Sequence, residues 1–299
     1  MRTVAARRIV RSAAPLDGVI QIGTGYMLPP VAPIVTFEDL TIRQAVRAGY
    51  PEWLALRPRA VRAGIERQRR AYEAAAACCV TTSWAATSIV DEYGIDPSKV
   101  HVVGLGRNHD PGRSERDWRR PRFLFVGRDW VGKNGPGLLH AFARVRTAVP
   151  DARLDVVGNH PPIDAPGVFG HGFLSMGDAG DRRKLERLYE AATCFVLPSH
   201  YEASAIVYLE AGAAGLPSIG TSVGGSADFI GDAGRLVDPA DSDALVAAML
   251  ELADPDTAAR LGGLALERSS LFTWKAVAER TLRALRPANV ALDALAGFL

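Results

Sequence analysis

Short apolar runs alternate with amphipathic segments along almost the whole of this 299-residue chain, and no other feature restricts its fold as tightly. The runs at 18–23, 34–37, 77–82, 100–103, 123–126, 153–157, 194–197, 217–221 and 234–237 are four to six residues long and mostly rich in Val, Ile, Phe or Cys. That length and composition predict buried strands rather than buried helices. Between them, helical periodicity predicts helices over 41–48, 58–77, 84–93, 136–149, 181–192, 204–214 and 242–253. Two more, at 257–269 and 273–285, follow the last strand, and 168–173 reads as a further extended piece. Strands separated by helices cannot pair as hairpins, so the pattern predicts parallel sheets of an α/β protein. The alternation breaks once, at the polar stretch 110–122 with Pro111, Gly112 and Pro121, which reads as an interdomain linker. With 48% hydrophobic residues the chain can fill two cores. The expected organisation is a first lobe over 1–115, a second over 116–275 and a helical tail over 276–299.

The charged and sulfur-bearing residues exclude several classes. Three cysteines, two adjacent (Cys78, Cys79) and one inside an expected strand (Cys194), give neither a disulfide framework nor metal-ligand spacing, and fit core positions in a reducing cytoplasm. The longest uncharged run, 18–37, carries Gly18, Gly23, Gly25, Pro29, Pro30 and Pro33, which suits strand and loop rather than a membrane span. Arginines near the start are not followed by a compact apolar segment with a small-residue cleavage site, so no export is expected. Residues 1–122 hold 19 Lys and Arg against 12 Asp and Glu, whereas the remainder is acidic. Solvated helix faces account for most of that basic excess, as where Arg62, Arg67, Arg69 and Arg70 interleave with Glu66 and Glu73. Contact with an anionic acceptor, or with the inner face of a membrane at its periphery, is the other reading. No aromatic-interleaved basic motif supports a nucleic-acid partner.

The chemistry concentrates in 194–225, CFVLPSHYEASAIVYLEAGAAGLPSIGTSVGG. A strand end, a helix N-terminus and a second strand end meet there, bracketed by Glu202 and Glu210. With seven residues between them the two carboxylates lie two turns apart on nearly one helix face, within reach of one ligand. Upstream, Gly127-Arg128-Asp129-Trp130-Val131-Gly132-Lys133-Asn134-Gly135 opens a helix with two cations. Its glycine spacing fits neither a dinucleotide fingerprint nor a P-loop, but Arg128 and Lys133 can meet a diphosphate. Taken singly these residues have plainer readings: Glu202 as a helix cap, Glu210 and the two cations in surface pairs. His171 and His200 read as structural, and Trp130 and Tyr201 as pocket wall or core. At the end of the strand 34–37, Glu38 and Asp39 stand where α/β proteins place function, while Asp39 before Leu-Thr is equally a helix cap.

In this order and spacing, FLFVGR with a later Lys, LERLYEAATCFVLPS, the Glu202/Glu210 pair, GTSVGG and GRLVDPAD resemble the retaining nucleotide-sugar glycosyltransferases of family four. The resemblance covers residue 123 to about 274 closely, and TFEDLT, CCVTTSWAA and KVHVVGLGRN resemble the second half of the family's acceptor lobe. It implies the GT-B architecture, two Rossmann-like lobes with parallel sheets, the first abbreviated. It also implies transfer of a sugar from a UDP- or GDP-linked donor to an acceptor hydroxyl of a glycan, lipid or small molecule. Configuration would be retained, and neither cofactor nor metal is expected, since no DxD motif stands nearby. By the resemblance Glu202, Arg128 and Lys133 act at the reacting centre, with Glu202 near the donor sugar. Gly127, Ser204, Ala205 and Ile206 line the donor, Glu210 takes the ribose hydroxyls, and the backbone of Phe173 and Leu174 lies beside the base. Glu38 and Asp39 are matched to the acceptor side. The sequence departs from the family at Glu202-Ala203-Ser204-Ala205, where Glu-Gly-Phe-Gly is usual, at Asp228 in place of a glutamate, and in the short first lobe. That lobe leaves a second expectation open: a noncatalytic nucleotide-sugar-binding protein, or part of an enzyme completed by a partner chain.

Overall fold

The computed structural model describes residues 2–13, 15–112 and 115–285. The chain divides at Gly104/Leu105 and again at Trp274/Lys275, so that one unit runs to Gly104 and takes the chain back from Lys275, and the other is Leu105–Trp274. The first division precedes the expected linker, so 110–122 belongs to the second unit apart from residues 113–114, which lie outside the described residues. The expected tail joins the first unit as far as it is described; 286–299 lie outside.

The first unit contains α1 (Arg2–Ser12), β1 (Val19–Ile22), β2 (Ile34–Glu38), α2 (Ile42–Arg47), α3 (Pro51–Leu54), α4 (Pro58–Ala74), β3 (Ala77–Val80), α5 (Ser83–Asp91) and β4 (Val100–Val102). Its four strands are parallel in the order β1-β2-β3-β4, each paired to the next through a helical crossover except β1 and β2. Two helix starts differ from the sequence expectation. Thr41, not Asp39, caps α2, in a capping box completed by Gln44, and α5 starts at Ser83 rather than at 84, capped by Thr82, which accepts from Ala85 N–H. The Thr41 hydroxyl, two residues nearer α2 than Asp39, reaches the Gln44 N–H of the first turn. Cys78 and Cys79 point to opposite faces of β3, into two small cores, as alternation along a strand requires.

The second unit contains β5 (Arg122–Val126), α6 (Gly135–Ala148), β6 (Arg153–Val157), β7 (Val168–Gly172), α7 (Ala179–Ala191), β8 (Cys194–Leu197), α8 (Ile206–Ala213), β9 (Ser218–Thr221), α9 (Ser226–Ile230), β10 (Gly234–Val237), α10 (Ser242–Glu251) and α11 (Pro255–Ser269). The last helix, α12 (Trp274–Leu285), starts here, with Trp274 donating to Asn108. It continues into the first unit, where Val277 packs with Val35, Ala77, Cys79 and Val103. The six strands are all parallel, in the order β10-β9-β8-β5-β6-β7. Phe123, Leu124, Phe125, Leu154, Val156, Phe195 and Leu197 are fully or almost fully buried, the continuous apolar strands of a sheet covered on both faces. One charge is buried among them. Asp155 on β6 accepts from Arg122, Arg153 and His171; burial works to raise its pKa, but these hydrogen bonds prevail and hold it well below the usual carboxylate range. His171 is thereby structural, as its sequence context indicates.

Candidate functional site

The strand order places the site. From β5 the sheet grows one way through β6 and β7 and the other way through β8, β9 and β10, so the connections leaving the carboxyl ends of β5 and β8 depart on opposite sides and open a crevice between them. The loop after β5 carries Gly127, Arg128 and Lys133, and the loop after β8 carries Glu202, Ser204 and Ala205. Segments 71 residues apart at the two strand starts are neighbours because Phe123 pairs with Cys194.

The loop after β5 is a folded structure of its own. Lys133, Asn134 and Gly135 N–H groups donate to the carbonyls of Asp129, Val131 and Trp130, and Asp129 accepts from Gly132 N–H. Trp130 packs edge-on against Phe125. Asn134 closes the turn in the left-handed region, at φ 56°, and donates to the Pro239 carbonyl. Held this way, Lys133 reaches across to Glu202 with Nζ 2.5 Å from Oε2, while the Arg128 guanidinium lies over the Phe173 ring at 5.4 Å. Trp130 is therefore a wall of the loop.

The loop after β8 is fixed by the paired glycines. Glu202 N–H donates to the Val223 carbonyl and the Glu202 carbonyl accepts from Gly225 N–H at 2.8 Å, a single bridge of parallel pairing. Gly224 sits at φ 107°, and a Cβ there would stand 2.0 Å from the Glu202 carbonyl oxygen. Gly224→Ala is expected to displace the Glu202 backbone, lowering stability by about 2 kcal/mol; differential scanning calorimetry checks this. The Glu202 carboxylate is buried and accepts from Ser199 as well as Lys133. The helix then starts at Ile206, later than the sequence suggests, because Ser204 and Ala205 remain in the loop. Its cap residue, Ala205, supplies no side-chain acceptor, so the first-turn N–H groups face the crevice uncapped by any side chain.

Glu210 follows one turn into α8. It is 8% exposed and accepts from the Tyr189 hydroxyl at 3.4 Å; burial raises its pKa to about 7 against that hydrogen bond. Together these residues line one cleft of about 950 Å³ formed by the second unit. Gly127, Arg128, Lys133, Phe173, Leu174, Glu202, Ser204, Ala205, Ile206 and Glu210 all border it. So do Asn108, His109 and Arg182, which the sequence does not single out. Asn108 and His109 belong to the stretch just after the first division of the chain, and no composition signal separates them from an ordinary loop.

The two acidic residues of the first unit part company. Glu38 turns inward: one carboxylate oxygen accepts from Thr24 N–H and hydroxyl at 2.8 and 2.6 Å, the other from Gln68 at 3.1 Å and from the Tyr72 hydroxyl. Desolvation raises its pKa, opposed by the Thr24 and Tyr72 hydrogen bonds. Its lone pairs are engaged within its own unit, against the expectation that it faces an acceptor. Asp39, the next residue, is exposed at the carboxyl end of β2. Among the described residues no group of three or more His, Cys, Asp or Glu is placed to hold a metal ion, and no helix is long and apolar enough to cross a membrane.

Comparison with known proteins supplies an independent view of the same segment. Residues 120–254 match the family model described as glycosyl transferases group 1. The alpha-maltose-1-phosphate synthase of Mycolicibacterium smegmatis is 31% identical over 73% of this chain and 65% of its own. The D-inositol 3-phosphate glycosyltransferase of Frankia alni is 33% identical over 68% of this chain and 58% of its own. The chain thus spans a little under two thirds of the length of these curated relatives. Among solved structures, the sucrose-phosphate synthase of Thermosynechococcus elongatus aligns with a TM-score of 0.71 at 22% identity, covering 94% of this chain and 75% of that one. WaaG, a glycosyltransferase involved in lipopolysaccharide biosynthesis, aligns at 0.66 and 20% identity, covering 94% and 80%. Both likenesses are of fold, and the fold is GT-B.

Proposed function

Starting from the glycosyl transferases group 1 domain that the chain carries over residues 120–254, we propose that this protein moves a sugar from a nucleoside diphosphate to an acceptor hydroxyl. The observation that carries the reading is the Lys133–Glu202 pair at the switch point of the second sheet, beside Arg128 and the uncapped start of α8. Bond cleavage at the anomeric carbon leaves the electron pair on a phosphate oxygen, and the departing diphosphate gains negative charge. Two cations and a helix N-terminus stabilise that charge where it develops. Lys133 turns from Glu202 to the phosphate, and Glu202 accepts from the sugar hydroxyls instead; a carboxylate suits them because it only accepts. Glu210 accepts from the ribose hydroxyls, and Phe173 and Leu174 border the base.

In this reading configuration is retained and no resident metal is required, the leaving charge being met by side chains. The acceptor oxygen bonds to the anomeric carbon on the face the diphosphate vacates, and its proton passes to the departing phosphate oxygen. Of Glu38 and Asp39, the pair matched to the acceptor side, Asp39 is the one exposed. Purified protein with UDP- and GDP-sugars, assayed for donor hydrolysis and transfer, tests the reading: release of the diphosphate is expected.

The alternative reading is a noncatalytic nucleotide-sugar-binding protein, or part of a glycosyltransferase completed by a partner chain. Tight nucleotide binding with no turnover, alone or with added acceptors, would select it.

A further inference from the structure

We propose that the cavity at the amino ends of β5 and β6, beside α7, binds a small phosphate ester that carries hydroxyls, a sugar phosphate by class, at a site separate from the donor cleft. The cavity measures about 940 Å³. Arg122 and Arg153, the first residues of β5 and β6, border it together with Lys184, Arg187 and Leu188 of α7. The donor cleft lies at the carboxyl ends of the same sheet, and the two share no lining residue. One helix serves both: Arg182 and Leu185 of α7 line the cleft, while Lys184, Arg187 and Leu188 line this cavity.

Its cations exceed the groups that hold them. Asp155 is a single carboxylate shared by Arg122, Arg153 and His171. Arg122 gives it only Nε, so its two Nη groups have no acceptor among the described residues. Lys184 and Arg187 enter no ion pair or side-chain hydrogen bond among the described residues. Arg116, on the same wall, donates through its Nη groups to the carbonyls of Tyr189, Ala214 and Gly215, while its buried Nε has no acceptor. Burial with no counter-charge lowers its pKa to about 10. A phosphate group therefore meets donors already in place: the Arg122 Nη groups, the Arg187 fork and the Lys184 ammonium. Four carboxylates also border the cavity, Glu115, Asp117 and Asp151 exposed and Glu190 half-buried, and Asp117 pairs with Arg120. They repel the continuous charge of a nucleic acid or an anionic membrane. A small ester suits them, because its charge sits at one end and its hydroxyls are donors that carboxylates accept.

Calorimetric titration of the full chain with glycerol 3-phosphate, ribose 5-phosphate and glucose 6-phosphate, beside glucose and inorganic phosphate, tests this. At least one ester is expected to bind, roughly tenfold or more tighter than inorganic phosphate, and glucose not at all. Lys184→Glu/Arg187→Glu should weaken that binding roughly tenfold or more, and Lys184→Ala/Arg187→Ala should weaken it in the same direction. Melting temperature and nucleoside diphosphate binding should be unchanged in both, since these side chains hold nothing else and lie outside the cleft. Lys133→Ala should leave ester binding as it is. The proposal is overturned if none of the three esters binds, if inorganic phosphate binds as tightly as they do, or if both double variants bind as the native protein does. Ester binding that Lys133→Ala abolishes and the double variants retain would overturn it too, by assigning the ester to the donor cleft.

Discussion

Lys133→Ala is expected to lower kcat/KM for glycosyl transfer by roughly two to three orders of magnitude, the cost of removing one fixed charge from a developing anion. The effect should fall mainly on kcat, because the charge on the diphosphate grows as the glycosidic bond breaks. The substitution also leaves Glu202 without its cation in a buried position, so a modest loss of stability accompanies it. Lys133→Arg separates the two consequences: it restores the ion pair and the melting temperature but recovers only part of kcat, since a planar fork does not place its charge where an ammonium did. Steady-state kinetics on the two variants, with calorimetric melting as control, measures this. Full activity in Lys133→Ala would remove the residue from the reacting centre.

Glu210→Gln should move stability and binding in opposite directions. The folded-state pKa of Glu210 is raised by burial from 4.5 to about 7, so the protein favours the neutral carboxyl. The penalty is absent below 4.5, where the group is neutral folded and unfolded alike; it grows as pH rises toward 7 and is complete above it. The neutral glutamine escapes it. The variant should therefore be more stable than the native protein at pH 8, on the order of 2 kcal/mol, and no more stable at pH 4. It should at the same time bind a nucleoside diphosphate at least tenfold more weakly, because an amide accepts the ribose hydroxyls less strongly than a carboxylate. A site that holds such a group is destabilised in the free protein for the sake of its ligand. Melting curves at the two pH values and a nucleotide titration decide it; a variant less stable at pH 8 would contradict the burial argument.

Most of the architecture was legible because the strands are buried on both faces, so runs such as Cys194–Leu197 and 123–126 stand out as uninterrupted apolar segments. The helix ends were less so. Whether Asp39 or Thr41 caps α2 depends on where its first turn begins, and α8 starts at Ile206 because the Glu202 backbone is first tied to Val223 and Gly225. The short α3 is held by the fit of Trp53 over Gly64, which no periodicity reveals. In the cleft, the two glutamates and two cations were visible as a spaced set. What stayed hidden was their mutual geometry: Lys133 and Glu202 are 69 residues apart, and only the β5–β8 pairing brings them together. The same reason conceals the inward turn of Glu38, whose donors Thr24, Gln68 and Tyr72 come from segments on both sides of β2.

The central claim, that the cleft at the switch point of the second sheet receives a nucleoside diphosphate, is tested most directly by calorimetric titration with UDP and GDP beside uridine and guanosine. One of the diphosphates should bind at least tenfold more tightly than its nucleoside, and Lys133→Ala should reduce that difference while Glu210→Gln weakens diphosphate and nucleoside alike. Binding of neither diphosphate, or binding untouched by both substitutions, would contradict the account.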